Sequence, residues 1–162
     1  MNSNLPINTS ISWPAYFIIF ALSAGFIFSF DYIFQTNDIF YPIMVISALA
    51  IILRVTIPRS HRKGIQAIKE NDYSTATTYF KESVDYFTRN EWVDRYRVIT
   101  ILSASKMCYR EMGLCNIAFC YSQTGKAEKA KALYEEILQE YPENGIAYYA
   151  LNSINTFSNQ AD

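Results

Sequence analysis

Three cysteines and one histidine are the side chains here best suited to nucleophilic or metal chemistry. Cys108, Cys115 and Cys120 are odd in number and form no CxxC pair. That argues against a disulfide framework and suits a reducing, cytosolic compartment. With no second ligand type beside them, they read as small buried hydrophobes. His61 sits within Arg59-Ser60-His61-Arg62-Lys63 and reads as a surface or interface residue. Zinc hydrolases, Ser–His triads and Cys–His nucleophiles need a histidine placed among partners. Neither GxxxxGK[ST] nor GxGxxG occurs, so nucleotide binding by those routes has no support. These residues predict no enzyme, no cofactor, no metal and no small-molecule substrate. The 14 bases are matched by 15 acids, so no strongly basic face is expected for nucleic acid.

The elements that must carry these residues fall into two materials. Residues 1–53 hold no Lys or Arg and only two acids, Asp31 and Asp38; all 14 bases begin at Arg54. Trp13 to Phe34 is one apolar run of 22 residues, about 33 Å as a helix. Ile39 to Ile57 is a second of 19 residues, about 28 Å. Four residues, Gln35 to Asp38, separate them. In lipid the backbone must satisfy its own hydrogen bonds, so a two-helix transmembrane hairpin over residues 13–57 is expected. Trp13, Tyr16, Tyr32 and Tyr41 fall near the ends, where aromatic residues favour the interface. The first run lacks a basic leader, which argues against a cleaved signal. Arg54, Arg59, Arg62 and Lys63 gather after the second run. The positive-inside rule then makes both termini cytoplasmic, including a short tail at residues 1–12. Arg54 is expected to snorkel without a partner. Asp31 reads as an interfacial carboxylate, with a transmembrane pathway as the alternative. Ala21, Gly25 and Ser29 form a small-residue ridge that the second span is expected to fill, with dimerisation as the alternative.

From Arg59 onward the pattern is helical. Ala127, Ala130, Leu133, Tyr134, Ile137, Leu138 and Tyr141 recur at spacings of three and four. Thr124-Gly125 stops the preceding helix and Pro142 ends this one. Leu114, Ile117, Ala118 and Tyr121 occupy the W-x2-L-G-x2-Y spacing, Ala130 and Tyr134 give A-x3-F, Gly125 falls at the turn and Pro142 closes the unit. Residues 111–144 therefore resemble a tetratricopeptide repeat. A weaker copy spans residues 59–90, through Gly64, Ala67, Ala76 and Phe80. The fold expected is all-α: two transmembrane helices, then an antiparallel tetratricopeptide-like array over residues 59–158. Its insertion is 91–110 and its capping helix 145–157. The insertion most simply extends the later repeat's first helix, making Glu91 to Gln123 one long helix; a break near Ser103-Ala104-Ser105 is the alternative.

The resemblance implies a binding scaffold whose first helices line a groove. Ile65, Met112, Cys115, Phe119, Ser122 and Tyr149 would face it, with His61, Ile146 and Ser153. Leu114, Ile117, Ala118, Tyr121, Gly125, Ala130, Tyr134 and Pro142 would pack the repeat. The family's Lys/Asn carboxylate clamp is absent, and an apolar groove suits a peptide or amphipathic helix. The expected function is a membrane-tethered protein–protein interaction adaptor. The alternative is a subunit of a membrane complex in which the hairpin acts and the repeats stabilise. For the groove residues themselves, the alternative is that these side chains simply pack together.

Overall fold

The computed structural model describes residues 11–35 and 38–158. Those residues form nine α-helices and no β-strand. The expected tail at residues 1–12 lies outside them except for Ile11 and Ser12, as do Thr36 and Asn37 of the interhelical turn. The chain divides into two units: one takes residues 9–58 and 91–108, the other residues 59–90 and 109 onward.

The first unit holds α1 (Trp13–Phe34) and α2 (Phe40–Thr56), which contact each other. Pro14 lies in the first turn of α1, where a missing N–H costs nothing. Gln35, at φ 47°, closes α1 in the left-handed region. An Asp38 carboxylate oxygen accepts from the Phe40 N–H at 2.9 Å and opens α2. α1 is long and apolar enough to cross a membrane, with a mean hydropathy of 2.0 and none of its apolar window buried in the protein. α2 has 17 residues, about 25 Å, the lower end of the spanning range. The ridge expectation is corrected. A Cβ built on Gly25 meets nothing within 4 Å, so α2 does not fill that face.

The single long helix over Glu91 to Gln123 is also overturned. The segment forms α5 (Glu91–Arg95), α6 (Arg97–Thr100), a loop, and then α7 (Tyr109–Gln123). Hydroxyls compete for the carbonyls a continuing helix would use. Thr100 Oγ1 donates to the Val93 carbonyl at 2.7 Å, and Ser105 Oγ donates to the Met107 carbonyl at 2.9 Å. Leu102 adopts φ 52°, which a helix cannot continue through. The break thus falls at the alternative position. Cys108 precedes α7 and shares no helix face with Cys115.

Arg54 does not snorkel free either. Its guanidinium donates to the Leu102 carbonyl. Two residues along, the Ala104 carbonyl accepts from the Ser12 N–H at 2.9 Å. One short loop therefore ties the end of α2 to the start of α1, so the two helices run antiparallel.

The second unit is built from α3 (Arg59–Lys69), α4 (Tyr73–Arg89), α7, α8 (Ala127–Glu140) and α9 (Gly145–Ser158). Each packs on the next: α3 on α4, α4 on α7, α7 on α8, α8 on α9. α7 is central and buries every residue from Gly113 to Ala118. Ala67, Ile68, Ala76, Phe80, Ile117 and Cys120 form one core cluster.

The α3–α4 and α7–α8 hairpins have the same turn. Asn71 (φ 61°) and Gly125 (φ 71°) both sit in the left-handed region. The Asp72 N–H reaches back to Ala67 and the Asn71 N–H to Ile68, each at 2.9 Å. The Lys126 N–H reaches Tyr121 at 2.9 Å and the Gly125 N–H reaches Ser122 at 3.4 Å. Both are Schellman turns, the six-to-one and five-to-two bonds capping orphan carbonyls. In register with them, Gly64 matches Ala118 and Phe80 matches Tyr134. A Cβ on Gly64 would lie 2.7 Å from the Phe80 ring, so α3 and α4 meet at closest approach there.

His61 is buried, which corrects its reading as a surface residue. Its ring lies edge-on to Phe80 and Tyr109, with centroids 5.3 and 5.5 Å away. Nδ1 has no hydrogen-bond partner, and burial lowers the pKa to about 4.

Candidate functional site: a groove between α7 and α9

A groove of about 560 Å³ runs between α7 and α9. Phe119, Ser122 and Gln123 come from α7, Tyr134 from α8, and Ile146, Tyr149, Ala150, Ser153 and Ile154 from α9. Nothing in this lining is charged. The spacing of each set follows from one helix face: 146, 149, 150, 153 and 154 recur at three and four residues. Its two serines already donate within their own helices, Ser122 Oγ to the Phe119 carbonyl at 2.7 Å and Ser153 Oγ to the Tyr149 carbonyl at 2.9 Å. What the groove offers a ligand is therefore mainly apolar and aromatic surface. Tyr149 is the most exposed of it, at 72%.

The angle between α7 and α9 is held by Asn144, a residue not singled out from sequence. Its Oδ1 accepts from the Ala147 N–H at 2.8 Å, capping α9. Its Nδ2 donates to Glu111 Oε1 at 2.9 Å and to Cys115 Sγ at 3.3 Å, both on α7. The signal was present: an Asn directly before an apolar-periodic run is an N-cap pattern. A second tie joins α4, α7 and α8. Arg110 donates to Glu140, to the Tyr141 hydroxyl at 2.8 Å and to Thr88 Oγ1 at 3.0 Å. The Arg110 guanidinium holds the Glu140 carboxyl below its usual range.

Of the groove residues expected from sequence, Phe119, Ser122 and Tyr149 line this groove, with Ile146 and Ser153. Cys115 does not: it is 1% exposed and bonded to Asn144. Ile65 is half-buried and packs on the core cluster. Met112 is half-buried and lies outside the lining, and His61 is enclosed by aromatic rings. The packing residues Leu114, Ile117, Ala118, Ala130 and Tyr134 are all buried. Tyr121 is half-buried and Pro142 is exposed.

Cys120 is buried, and desolvation pushes its thiol up to about 11, which disfavours the reactive thiolate. The described residues contain no group of three or more His, Cys, Asp or Glu placed to hold a metal ion. A second groove, about 500 Å³, lies among α4, α7 and α8 on the opposite face of α7. Its apolar floor is ringed by Lys81, Asp85, Lys129 and Glu136. No family model matches this chain, and no curated protein or solved structure is significantly similar to it.

Proposed function

We propose that this protein is a membrane-tethered adaptor whose tetratricopeptide-like domain receives an apolar or amphipathic helical segment of another protein. The observation that carries the reading is the uncharged α7–α9 groove. It lies between α7, the first helix of the later hairpin, and α9, the helix that follows that hairpin, where a tetratricopeptide array would present its concave face. The shared Schellman turn and the matched Gly64/Ala118 and Phe80/Tyr134 positions support the repeat assignment. The two-span anchor rests on α1, on α2 at the lower length limit, and on the exposure of both helices' apolar side chains. Cytoplasmic termini rest on the bases. Arg59, Arg62 and Lys63 occupy the start of α3, where the helix dipole disfavours cations. Anionic headgroups at the inner leaflet would offset that cost. Tethering raises local concentration, so a shallow groove suffices for recruitment.

The test is a photocrosslinking amino acid at Tyr149 in native membranes. A discrete adduct that disappears with Ile154→Asp is expected; no adduct, or one indifferent to that change, refutes the groove.

One observation favours the other reading, a membrane-complex subunit. The Ala21, Gly25 and Ser29 face of α1 is uncovered and open to a neighbouring helix. Replacing the spans with an unrelated hairpin separates the two: an adaptor keeps its function and a subunit loses it.

A further inference from the structure

The segment 91–107 has a buried, mainly apolar side and also leaves large apolar side chains outward. Val93, Asp94, Ile101, Leu102 and Met107 are buried, while Trp92, Tyr96 and Ile99 are 62, 56 and 58% exposed. At 100° per residue these three fall within an arc of about 60°, one face of the α5–α6 turn. Helical bonds carry across the bend: the Tyr96 N–H reaches the Trp92 carbonyl and the Thr100 N–H reaches Tyr96, both at 3.0 Å. Half-buried Arg97 meanwhile folds back onto its own segment's backbone. Arg97 donates to the carbonyls of Asp94, Ser105 and Lys106 at 3.1, 3.1 and 2.7 Å. A contiguous exposed face of three large apolar and aromatic side chains marks an interaction surface.

What covers this face is indicated by where the segment is fixed. Its loop is bound at Leu102 by Arg54, the one base of α2, and at Ala104 by Ser12, the residue before α1. Ile11 and Ser105 add an antiparallel bridge, and α6 contacts α1. The exposed Trp92 and Tyr96 thus belong to the same end of the helix pair as the exposed Trp13 and Tyr16 of α1. Leu102 is held at φ 52°, a conformation costly for a branched side chain, so the attachment is specified and not incidental.

We infer that residues 91–100 form an interfacial element, with Trp92, Tyr96 and Ile99 inserted among the lipid headgroups beside the hairpin's base-rich end. The inference rests on the transmembrane reading of α1 and α2. Amphipathic aromatic rings favour this depth, and the bases beside them suit anionic lipid. Arg54 lies at the attachment and exposed Lys106 flanks it, while exposed Arg95 is paired with Glu91 at 2.9 Å.

Trp13 and Trp92 are the only tryptophans, so Trp13→Phe makes Trp92 the sole reporter; Trp13→Tyr is a second background. The full chain is reconstituted in vesicles of equimolar phosphatidylcholine and phosphatidylglycerol and washed in alkaline carbonate. The result expected is retention, with Trp92 quenched strongly by lipid brominated near the ester end of the chain and weakly by lipid brominated near the methyl end. Iodide should quench it several-fold less than it quenches N-acetyltryptophanamide. A retained chain whose Trp92 is as open to iodide as that model compound overturns the inference and leaves the hairpin standing. Shielding from iodide and from every brominated lipid overturns it in favour of a protein contact. Release by carbonate overturns the hairpin and the inference together.

Discussion

Acidification should loosen the unit built from α3, α4, α7, α8 and α9 through His61. The ring is enclosed by Phe80 and Tyr109, its Nδ1 is unpartnered, and its pKa is lowered from 6.5 to about 4 by burial. The folded state holds the imidazole neutral, while the unfolded chain takes up a proton below its own pKa. The unfolded state therefore binds more protons, and stability is complete above pH 6.5 and falls as pH drops toward 4. The whole span is worth about 3 kcal/mol, and integration to pH 5 gives about 2 kcal/mol. For a urea slope of about 1–3 kcal/mol per molar, the midpoint moves by roughly 1 M between pH 7.5 and pH 5. Carboxylates titrate near this range too, so the quantity to measure is the difference between the wild type and His61→Leu. Urea unfolding followed by far-ultraviolet circular dichroism in mild detergent supplies it. The variant also removes an unpartnered buried nitrogen, whose burial ordinarily costs about 1–3 kcal/mol, so it should equal or exceed the wild type at pH 5. Parallel pH profiles for the two proteins would refute the argument.

Other substitutions probe the turns, the cap, the thiols and the loop. Gly125→Ala forces a Cβ into the left-handed region and should cost about 1 kcal/mol in urea unfolding, while Asn71→Ala starts from a residue that already carries a Cβ there and should cost less; the reverse order would refute this account of the turns. Asn144→Ala removes the cap of α9 and its tie to α7, so a loss of about 2 kcal/mol is expected, with hydrogen exchange rising first in α9. Maleimide should modify half-buried Cys108 well before Cys115 and Cys120, as read by mass spectrometry of peptides; equal rates would contradict their burial. Arg54→Met should free the 101–108 loop, seen as faster trypsin cleavage after Lys106 in detergent; an unchanged rate would show that the Leu102 contact does not hold the loop.

The helices themselves were legible wherever a periodic stripe met a strong stop. Gly125 and the following α8 stripe located that hairpin to within a residue or two, and the uniform apolarity of residues 13–34 located α1. The insertion was not legible. Residues 91–108 contain no proline or glycine, and their helix is broken by hydroxyl-to-carbonyl bonds and by one leucine in a left-handed conformation. Such breaks depend on tertiary contacts to Ser12 and Arg54, which local sequence does not encode. The groove was half legible for a similar reason. Helical spacing gives the face on which Phe119, Ser122 and Tyr149 lie. Whether Cys115 opens onto that face or is shut beneath Asn144 depends on how α9 is set against α7.

The division of the chain at residues 58–59, 90–91 and 108–109 bears on how the protein can be taken apart. The backbone passes between the two units three times among the described residues. A protease that nicks once near Pro58 therefore leaves the units covalently joined. Truncating at the same point strands residues 91–108 away from the helices that anchor them. A clean excision must cut out both pieces and rejoin Asn90 to Tyr109. The side chains flanking that junction already meet: Phe87 and Tyr109 stack at 5.0 Å and Arg110 reaches Thr88. The unit of residues 59–90 and 109 onward is thus reached by splicing, not by trimming.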